Sequence, residues 1–404
     1  MEEREEFIKE WLKHELTFVD LCDLYGISRK TGYKWVGRFA DSGKVGLEER
    51  SRAPHSHPQG MGEKVVEAII QMRQQHPSWG PRKIREKLQR QDREQKWPAT
   101  SSIGELLRRE GLVVERRQRR RTPPHTEPLA HAGAANDVWC ADFKGHFQCG
   151  DGSRCDPLTI TDAYSRYLLR CRAVEKADGP HVRAVFETLF RECGLPAAIR
   201  TDNGPPFASG APGGLSRLSM SWLRFGIRHE RIDPGCPQQN GRHERMHRTL
   251  KAETAAPPRA TLRQQQLAFE AFSEEYNQQR PHEALNYRTP AELYSPSNRP
   301  YHPGQEQLVY PAGVELRRIS QQGSLKWKCE RTFLSEVLAR EVVGLLEVDD
   351  QFFEVYYGPK LLGWFDGANH AFAPEKRPPR NRHHRPKPDA ASQSGDMKSE
   401  GNED

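Results

Sequence analysis

The sequence lacks any apolar run of the roughly 20 residues that a membrane-spanning helix requires. Hydrophobic residues make up only 35% of its 404 residues, while 29% are charged. The opening MEEREEFIKEW is acidic, whereas a secretory signal starts with a basic segment and continues with an apolar one. We therefore expect a cytoplasmic protein with no membrane partner, built from several small domains joined by solvated linkers.

The sequence also lacks grouped cysteines. The eight cysteines are scattered, and the sequence contains no C-x-x-C pair and no Cys/His group at zinc-finger spacing. This spacing gives no sign of a zinc finger, and we interpret the cysteines as reduced structural thiols.

Basic residues are concentrated in two runs, although the net charge is only +7. Five arginines lie within VVERRQRRR, residues 113–121, and six Lys or Arg lie in residues 376–387 without any acid. Runs of this kind suit a polyanion such as DNA, so Arg116 and Arg117 are candidate DNA contacts. A solvated linker and a disordered tail explain each run equally well when it is taken alone.

Residues 1–52 have the pattern of a helix-turn-helix DNA-binding domain. Thr17 and Ser28 are predicted to cap the second and third helices, and Gly26 to make the turn between them. The helix in SRKTGYKWVGRF is the predicted recognition helix, and its candidate DNA contacts are Arg29, Lys30, Tyr33, Lys34 and Arg38.

A second helix-turn-helix-like unit is predicted over residues 60–112. It contains the amphipathic stretch EKVVEAIIQMRQQHP, a helix with Pro81 in its first turn, and TSSIGELLRREGL, which runs from a Thr/Ser cap to a stop at Gly111. Two basic helical units in tandem favour bipartite DNA reading, and a three-helix protein-interaction module is the alternative. A basic linker follows at 113–135.

Residues 136–300 are predicted to form a mixed α/β sheet. DVWCADFKGHFQC and DPLTITDAYSRYLLRCRAV indicate three consecutive strands. Alternating helices and strands then follow through AAIRTDNG, LSRLSMSWLRFG and IRHERI, up to the helix of NGRHERMHRTLK and a closing helix in LRQQQLAFEAFSEEYNQQRPH. Three strands followed by such an alternation are typical of a mixed sheet with helical layers.

The region 305–375 is strand-rich again. VELRRIS with SLKWKCE, and VVGLLEV with FFEVYYG, are predicted to form two hairpins, and we expect a small β-barrel from them. Residues 376–404 are expected to be a disordered basic tail.

Three carboxylates in the α/β region are candidates for metal-dependent phosphodiester chemistry. Such chemistry needs carboxylates that converge on divalent ions about 4 Å apart. Asp142 lies within a predicted strand, Asp202 at a strand end, and Glu244 in the first turn of a helix. Each also has an ordinary alternative, as an exposed strand residue, a turn former and a helix-start acid respectively.

The same helix contains HERMH, a match to the H-E-x-x-H pattern of zinc metalloproteases. His243 and His247 share one helix face and could hold a metal while Glu244 activates water. A third ligand is not evident, although Glu270 or Glu274 could serve. The surrounding cations oppose Zn²⁺ and favour phosphate, namely Arg242, Arg245, Arg248 and Lys251. A zinc metalloprotease stays as an alternative.

Five segments occur in the order found in one known family: WCADFKG, TDAYSRY, RTDNGPPFAS, PGCPQQNGRHERMHRTLK and YNQQRPHEAL with TPAELY. Over residues 5–375 the chain resembles bacterial insertion-sequence transposases with a retroviral-integrase-type DDE core. The resemblance implies an RNase H-like catalytic fold between the helix-turn-helix units and a C-terminal β-barrel. It also implies two Mg²⁺ or Mn²⁺ ions bound by Asp142, Asp202 and Glu244.

The resemblance further implies a homo-oligomer on DNA in the bacterial cytoplasm, with the element's terminal inverted repeats and target DNA as partners. It implies a basic residue seven positions after the glutamate, which here is Lys251. Arg248 lies on the same helix face and could contact DNA phosphates or pair with Glu244. A catalytically inactive DNA-binding relative is a further hypothesis, against which the presence of all three carboxylates weighs.

Two features depart from the family pattern. Asp202 and Glu244 enclose 41 residues, more than in many relatives, and we assign the extra length to a surface loop in SGAPGGLSR. The His-Cys zinc module at the N-terminus of retroviral integrases is missing, so no structural zinc is implied.

Overall fold

The computed structural model describes residues 2–49, 60–113, 132–233, 239 and 241–374, without the side chain of residue 242. The chain divides into two compact units, Met1–Glu63 and Lys64–Asp404. No helix in these described ranges has the length and apolar character needed to cross a membrane. Arg116, Arg117 and the predicted tail at 376–404 lie outside the described residues.

The first unit contains three helices, namely α1 (Glu2–Lys13), α2 (Phe18–Leu24) and α3 (Arg29–Ser42). The predicted caps are confirmed, because the side chains of Thr17 and Ser28 each accept a hydrogen bond from the backbone N–H three residues on. The predicted turn is confirmed as well, since Gly26 has a φ of 61°, a value that favours glycine.

An aromatic cluster forms the core of this unit. Phe7 is completely buried and meets Tyr25 and Trp35 edge-on, with ring centroids 5.5 Å apart in both pairs. Gly32 allows α3 to approach α2, since a Cβ there would lie 2.8 Å from the Sγ of Cys22. The short helices are therefore held by packing rather than by propensity.

Three further helices open the second unit, namely α4 (Glu63–Gln75), α5 (Pro81–Gln91) and α6 (Thr100–Arg109). Pro81 lies in the first turn of α5, as predicted. Gly111 follows α6 with a φ of 68°. The predicted Thr/Ser cap of α6 is wrong, because Thr100 is already helical and Ala99 occupies the cap position without a side-chain hydrogen bond.

A six-stranded mixed sheet follows, as predicted. Its strands and helices are β1 (Val138–Phe143), β2 (Phe147–Gln148), β3 (Arg154–Asp162), β4 (Leu168–Val174), α7 (Gly179–Cys193), β5 (Ala198–Thr201), α8 (Arg217–Arg224), β6 (Arg228–Arg231), α9 (Gly241–Thr254) and α10 (Leu262–Gln278). The strand order is β2-β3-β1-β5-β6, and β4 pairs with β3. β1 pairs antiparallel with β3 and parallel with β5, so β1 joins the two parts of the sheet.

Separate apolar clusters join helices to this sheet. One contains Trp139 of β1, Phe186 of α7 and Trp222 of α8. Another joins Cys171 of β4 to Phe269 of α10 and to buried side chains of α9. α9, which carries Glu244, is therefore packed against the sheet through its own apolar residues.

The C-terminal region contains β7 (Glu315–Arg318), β8 (Ser324–Trp327), β9 (Glu330–Phe333), β10 (Val342–Asp349), β11 (Phe352–Tyr357), β12 (Lys360–Asp366) and β13 (Ala371–Ala373). The predicted hairpin of VVGLLEV with FFEVYYG is confirmed as β10–β11. The predicted hairpin of VELRRIS with SLKWKCE is wrong, because β7 pairs with β10 and β8 pairs with β9.

The predicted small β-barrel is not confirmed. Among the described strands, the five-stranded sheet runs in the order β13-β12-β11-β10-β7, and its two edges do not pair with each other. Instead, Met220 and Leu223 of α8, and Leu215 two residues before it, join the buried cluster of this sheet. A helix that covers the apolar face of a sheet makes closure unnecessary.

The loop in SGAPGGLSR takes part in this contact, so its prediction as a surface loop is wrong. Pro212 and Gly214 are buried. A Cβ added at Gly213 would lie 3.2 Å from Cδ2 of Leu362 in β12. This loop therefore lies against the C-terminal sheet.

Candidate active site

Asp142 lies in β1, and Asp202 directly follows β5, the strand that pairs parallel with β1. The last paired residues of these two strands are Cys140 and Arg200. Each sequence-predicted aspartate follows its strand's member of this last pair by two residues. Both aspartates therefore lie beyond the same end of the β1–β5 pairing.

A tight turn holds Asp202 at the end of β5. Its Oδ1 accepts a hydrogen bond from the backbone N–H of Gly204, 3.2 Å away. A Cβ at Gly204 would lie 3.2 Å from Oδ2 of Asp202. Glycine therefore keeps the space beside this carboxylate open, and the turn-forming role of Asp202 is compatible with a ligand role.

Two histidines of α9 converge on one threonine of β3. Nε2 of His243 and Nε2 of His247 each lie 2.7 Å from Oγ1 of Thr159. This hydroxyl donates its proton to the backbone carbonyl of Asp142, at 3.1 Å. Both imidazoles must then donate Nε2–H to the lone pairs of the hydroxyl. Thr159, which links α9 to the strand of Asp142, was not among the residues predicted from the sequence.

Burial keeps both imidazoles neutral at pH 7. It lowers the pKa of His243 to about 4, and it lowers the pKa of His247 even further. Nδ1 of His247 lies 3.9 Å from Oδ2 of Asp142. A neutral ring at this distance does not form an ion pair with the carboxylate, so the two histidines serve to seat α9 on the sheet.

The geometry gives the zinc-protease alternative no support. The Nε2 atoms that would bind zinc already contact Thr159. Within the described ranges, no group of three His, Cys, Asp or Glu side chains could hold a metal ion. Packing of α9 on β3 therefore explains why histidines stand at i and i+4.

Glu244 is exposed in the first turn of α9. It shares one helix side with Lys251, since seven residues make about two turns. Lys251 lines a cavity together with Lys144, which lies two residues after Asp142. This side of α9 therefore faces the end of β1, where Asp142 lies.

The three carboxylates fit a hard divalent cation in kind, because all their donor atoms are oxygens. They do not form a preassembled metal cage in the described structure. A Mg²⁺ ion commonly uses one or two protein carboxylates and completes its shell with water and substrate phosphates. The donor set is thus suited to a site that DNA completes.

The predicted DNA contacts on α9 are accessible. Arg248 and Lys251 are exposed, and neither forms an ion pair in the part of the chain that the structure describes. The alternative that Arg248 pairs with Glu244 is therefore not observed. On α3, Arg29, Lys30, Tyr33 and Lys34 are exposed as well, while Arg38 is half-buried.

Comparison with known families covers most of these elements. An integrase core domain family matches residues 132–237, and a second integrase core domain family matches residues 225–290. A helix-turn-helix domain family matches residues 3–55, and a homeodomain-like domain family matches residues 31–107.

Several curated proteins are similar to the chain. The insertion element IS407 uncharacterized 31.7 kDa protein of Burkholderia multivorans is 28% identical over 251 residues, which cover 62% of this chain and 87% of that protein. Transposase InsD for insertion element IS2D of Escherichia coli is 26% identical over 233 residues, or 54% of this chain and 73% of that protein.

Among solved structures, the HTLV-2 integrase catalytic core domain in complex with magnesium is 18% identical. The match covers 40% of this chain and 99% of that one, with a TM-score of 0.32.

Proposed function

The chain belongs to the insertion-sequence transposases with a retroviral-integrase-type core, and we propose that it cuts DNA at the ends of a mobile element and joins them to target DNA. The observation that carries the proposal is the parallel pairing of β1 with β5, because Asp142 and Asp202 each follow its last pair, Cys140 and Arg200, by two residues. Lys251 of α9 lines a cavity together with Lys144, which is two residues after Asp142, and this supports the choice of a phosphodiester as substrate.

Asp142, Asp202 and Glu244 would hold Mg²⁺ or Mn²⁺, with two ions per site. The metal would supply a more acidic bound water and stabilise charge on the attacked phosphate and the leaving oxygen. No covalent protein–DNA intermediate is required, because water frees a 3′-OH and this hydroxyl then attacks target DNA.

The chain's own residues position the DNA. Arg248 and Lys251 would bind phosphates along the exposed side of α9. Thr159 fixes the backbone at Asp142, and the neutral His243 and His247 keep α9 in place on β3. The helix-turn-helix residues of α3 would bind the terminal inverted repeats, with a homo-oligomer bringing two ends together.

The test replaces each carboxylate by its amide, which keeps the shape but removes the charge. We expect Asp142→Asn, Asp202→Asn and Glu244→Gln each to abolish Mg²⁺-dependent cleavage and joining of element-end DNA. Binding of the same DNA in a gel-shift assay should stay close to the unmodified level. Glu274→Gln is the matched control, because Glu274 is an exposed carboxylate on α10.

Retained cleavage in one variant would remove that residue from the site. Retained cleavage in all three would overturn the proposal. An unmodified protein that binds end DNA but never cuts it would favour the catalytically inactive relative. Loss of activity in Glu274→Gln would instead reopen the zinc alternative, for which Glu274 was a candidate ligand.

A further inference from the structure

A cavity of about 120 Å³ lies between the residues that follow β1 and the end of α9. Its apolar lining comes from Phe147, Pro157, Leu250 and Phe269. A single water molecule needs only about 10–15 Å³ of such space. The cavity is therefore much larger than a water site and approaches the roughly 150 Å³ of an apolar cavity that binds benzene.

Two lysines give the cavity its charge. Lys144 and Lys251 contribute to the lining, and no acidic side chain does. Neither lysine forms an ion pair within the described residues. Two cations in a lining that contains no acidic side chain attract an anion, and an aromatic, apolar wall accepts a planar ring. Together these features suit a nucleotide, with a ring inside and a phosphate at the lysines.

The cavity adjoins the candidate active site. Lys144 lies two residues after Asp142, and Lys251 lies one helical turn after His247. Nδ1 of His247 is 3.9 Å from Oδ2 of Asp142. A nucleotide in the cavity would therefore be a neighbour of the phosphodiester that Asp142 is proposed to act on.

We propose that this cavity receives one DNA base turned out of its stack, while Lys144 and Lys251 bind the flanking phosphates. The proposal rests on the function proposed above, because it takes DNA as the substrate. Turning out a base is least costly where the base is unpaired or at a strand end. The occupant is thus a nucleotide near the cut, and its base fixes the position of the neighbouring phosphate.

Affinity measurements on intact and abasic DNA test the proposed base pocket without any cleavage. The probe is a duplex of the element's own end, taken from the DNA that flanks the gene, in which one nucleotide at a time is made abasic. Affinity is measured in EDTA with the full chain. At the position whose base enters the cavity, we expect the unmodified protein to bind the abasic duplex about 5- to 100-fold more weakly.

Filling the cavity should remove this preference. Ala255→Phe places a ring in the lining without changing a charge, so it should bind the intact and abasic duplexes equally well. Ala252→Phe is the matched control, because Ala252 is exposed nearby and does not line the cavity. Ala252→Phe should keep the full preference for the intact duplex over the abasic one. If Ala255→Phe keeps this preference too, or if no abasic position weakens binding of the unmodified protein, the proposal is overturned.

The lysines give a second measurement in case Ala255→Phe does not fold. Lys144→Ala and Lys251→Ala should each lower the slope of log affinity against log salt by about 1, whereas the exposed Lys326→Ala should not. An unchanged slope in both would overturn the proposed phosphate contacts. Since these assays contain no metal, inactive carboxylate variants can still show the base preference. Conversely, cleavage with no base preference would reject the cavity alone.

Discussion

The two three-helix units share a basic, amphipathic pattern, but their basic helices have different neighbours. On α3, Arg29 and Lys34 are exposed and form no ion pair in the described residues. On α5, Arg82 pairs with Glu283 at 2.6 Å, and Arg90 pairs with Glu292 at 2.9 Å. A basic helix is therefore not sufficient to indicate DNA binding, because two of the five cations of α5 pair with residues after α10.

A buried tryptophan is central to that attachment. Trp79, just before α5, is completely buried and stacks on His76, with ring centroids 3.8 Å apart. Its Nε1–H donates to Oε1 of Glu275 on α10, at 3.0 Å. Arg280 reaches back from the end of α10 to Oγ of Ser78, at 3.2 Å. These contacts join the second helical unit to α10 within one compact unit of the chain.

The largest expected effect is the loss of this tryptophan. Trp79→Ala removes a fully buried aromatic and leaves Glu275 without its indole donor, so we expect the free energy of unfolding to fall by about 3–5 kcal/mol. Urea unfolding followed by circular dichroism measures it. Trp97→Ala, at a half-buried position in the same helical unit, should cost less. Equal losses would show that Trp79 is not the main attachment point.

The next effect concerns DNA rather than stability. Replacing Arg29 and Lys34 together by Ala should weaken binding of element-end DNA and lower its log–log salt slope by about 2, since each phosphate contact contributes about 0.9. Arg82→Ala with Arg90→Ala removes the same charge from α5 and should leave the slope unchanged. A larger slope change in the α5 variant would reverse the contrast between the two units.

Local sequence signals were enough to predict much of the fold. The caps at Thr17 and Ser28 depend on hydrogen bonds to residues only three positions on, and β10–β11 is closed by a short turn. The pairing of β7 with β10 was missed because these strands are separated by the β8–β9 hairpin. Partners that are distant in sequence leave no periodic signal in either strand.

The candidate site shows the same limit. The sequence offered Asp142 within a strand, Asp202 at a strand end and Glu244 at a helix start as candidates, and the family resemblance joined them into one site. The burial of His243 and His247 could not be predicted, because it depends on Thr159 in a strand far away in the sequence. The H-E-x-x-H spacing reports that two side chains share a helix face, and only the tertiary contact shows what they meet.

The next prediction concerns how the free energy of unfolding depends on pH through His282, which lies among the residues after α10. Burial, with help from Lys83 and Arg280, lowers the pKa of His282 to about 3. Its pKa in the unfolded chain is about 6.5, so only the unfolded state takes up the proton between these values, and stability falls as pH drops through this window. Between pH 7 and 5 we expect a loss of about 1–2 kcal/mol from this group.

Unfolding free energies at the two pH values measure this loss. His282→Gln should show a smaller loss between pH 7 and 5 than the unmodified chain. His302→Gln is the control at an exposed position and should behave like the unmodified chain. If His282→Gln loses as much stability as the control, another group is responsible for the acid sensitivity.

The smallest effect should come from the ion pairs themselves. Arg82 and Glu283 are both well exposed, with side-chain exposures of 64% and 65%. Pairs of this kind contribute about 0–1 kcal/mol, so Arg82→Glu should lower the melting temperature only slightly. Adding Glu283→Arg restores opposite charges and should recover most of that change at low salt, but not at high salt. A charge swap without recovery would mean that burial around Trp79, and not charge pairing, fixes α5 in place.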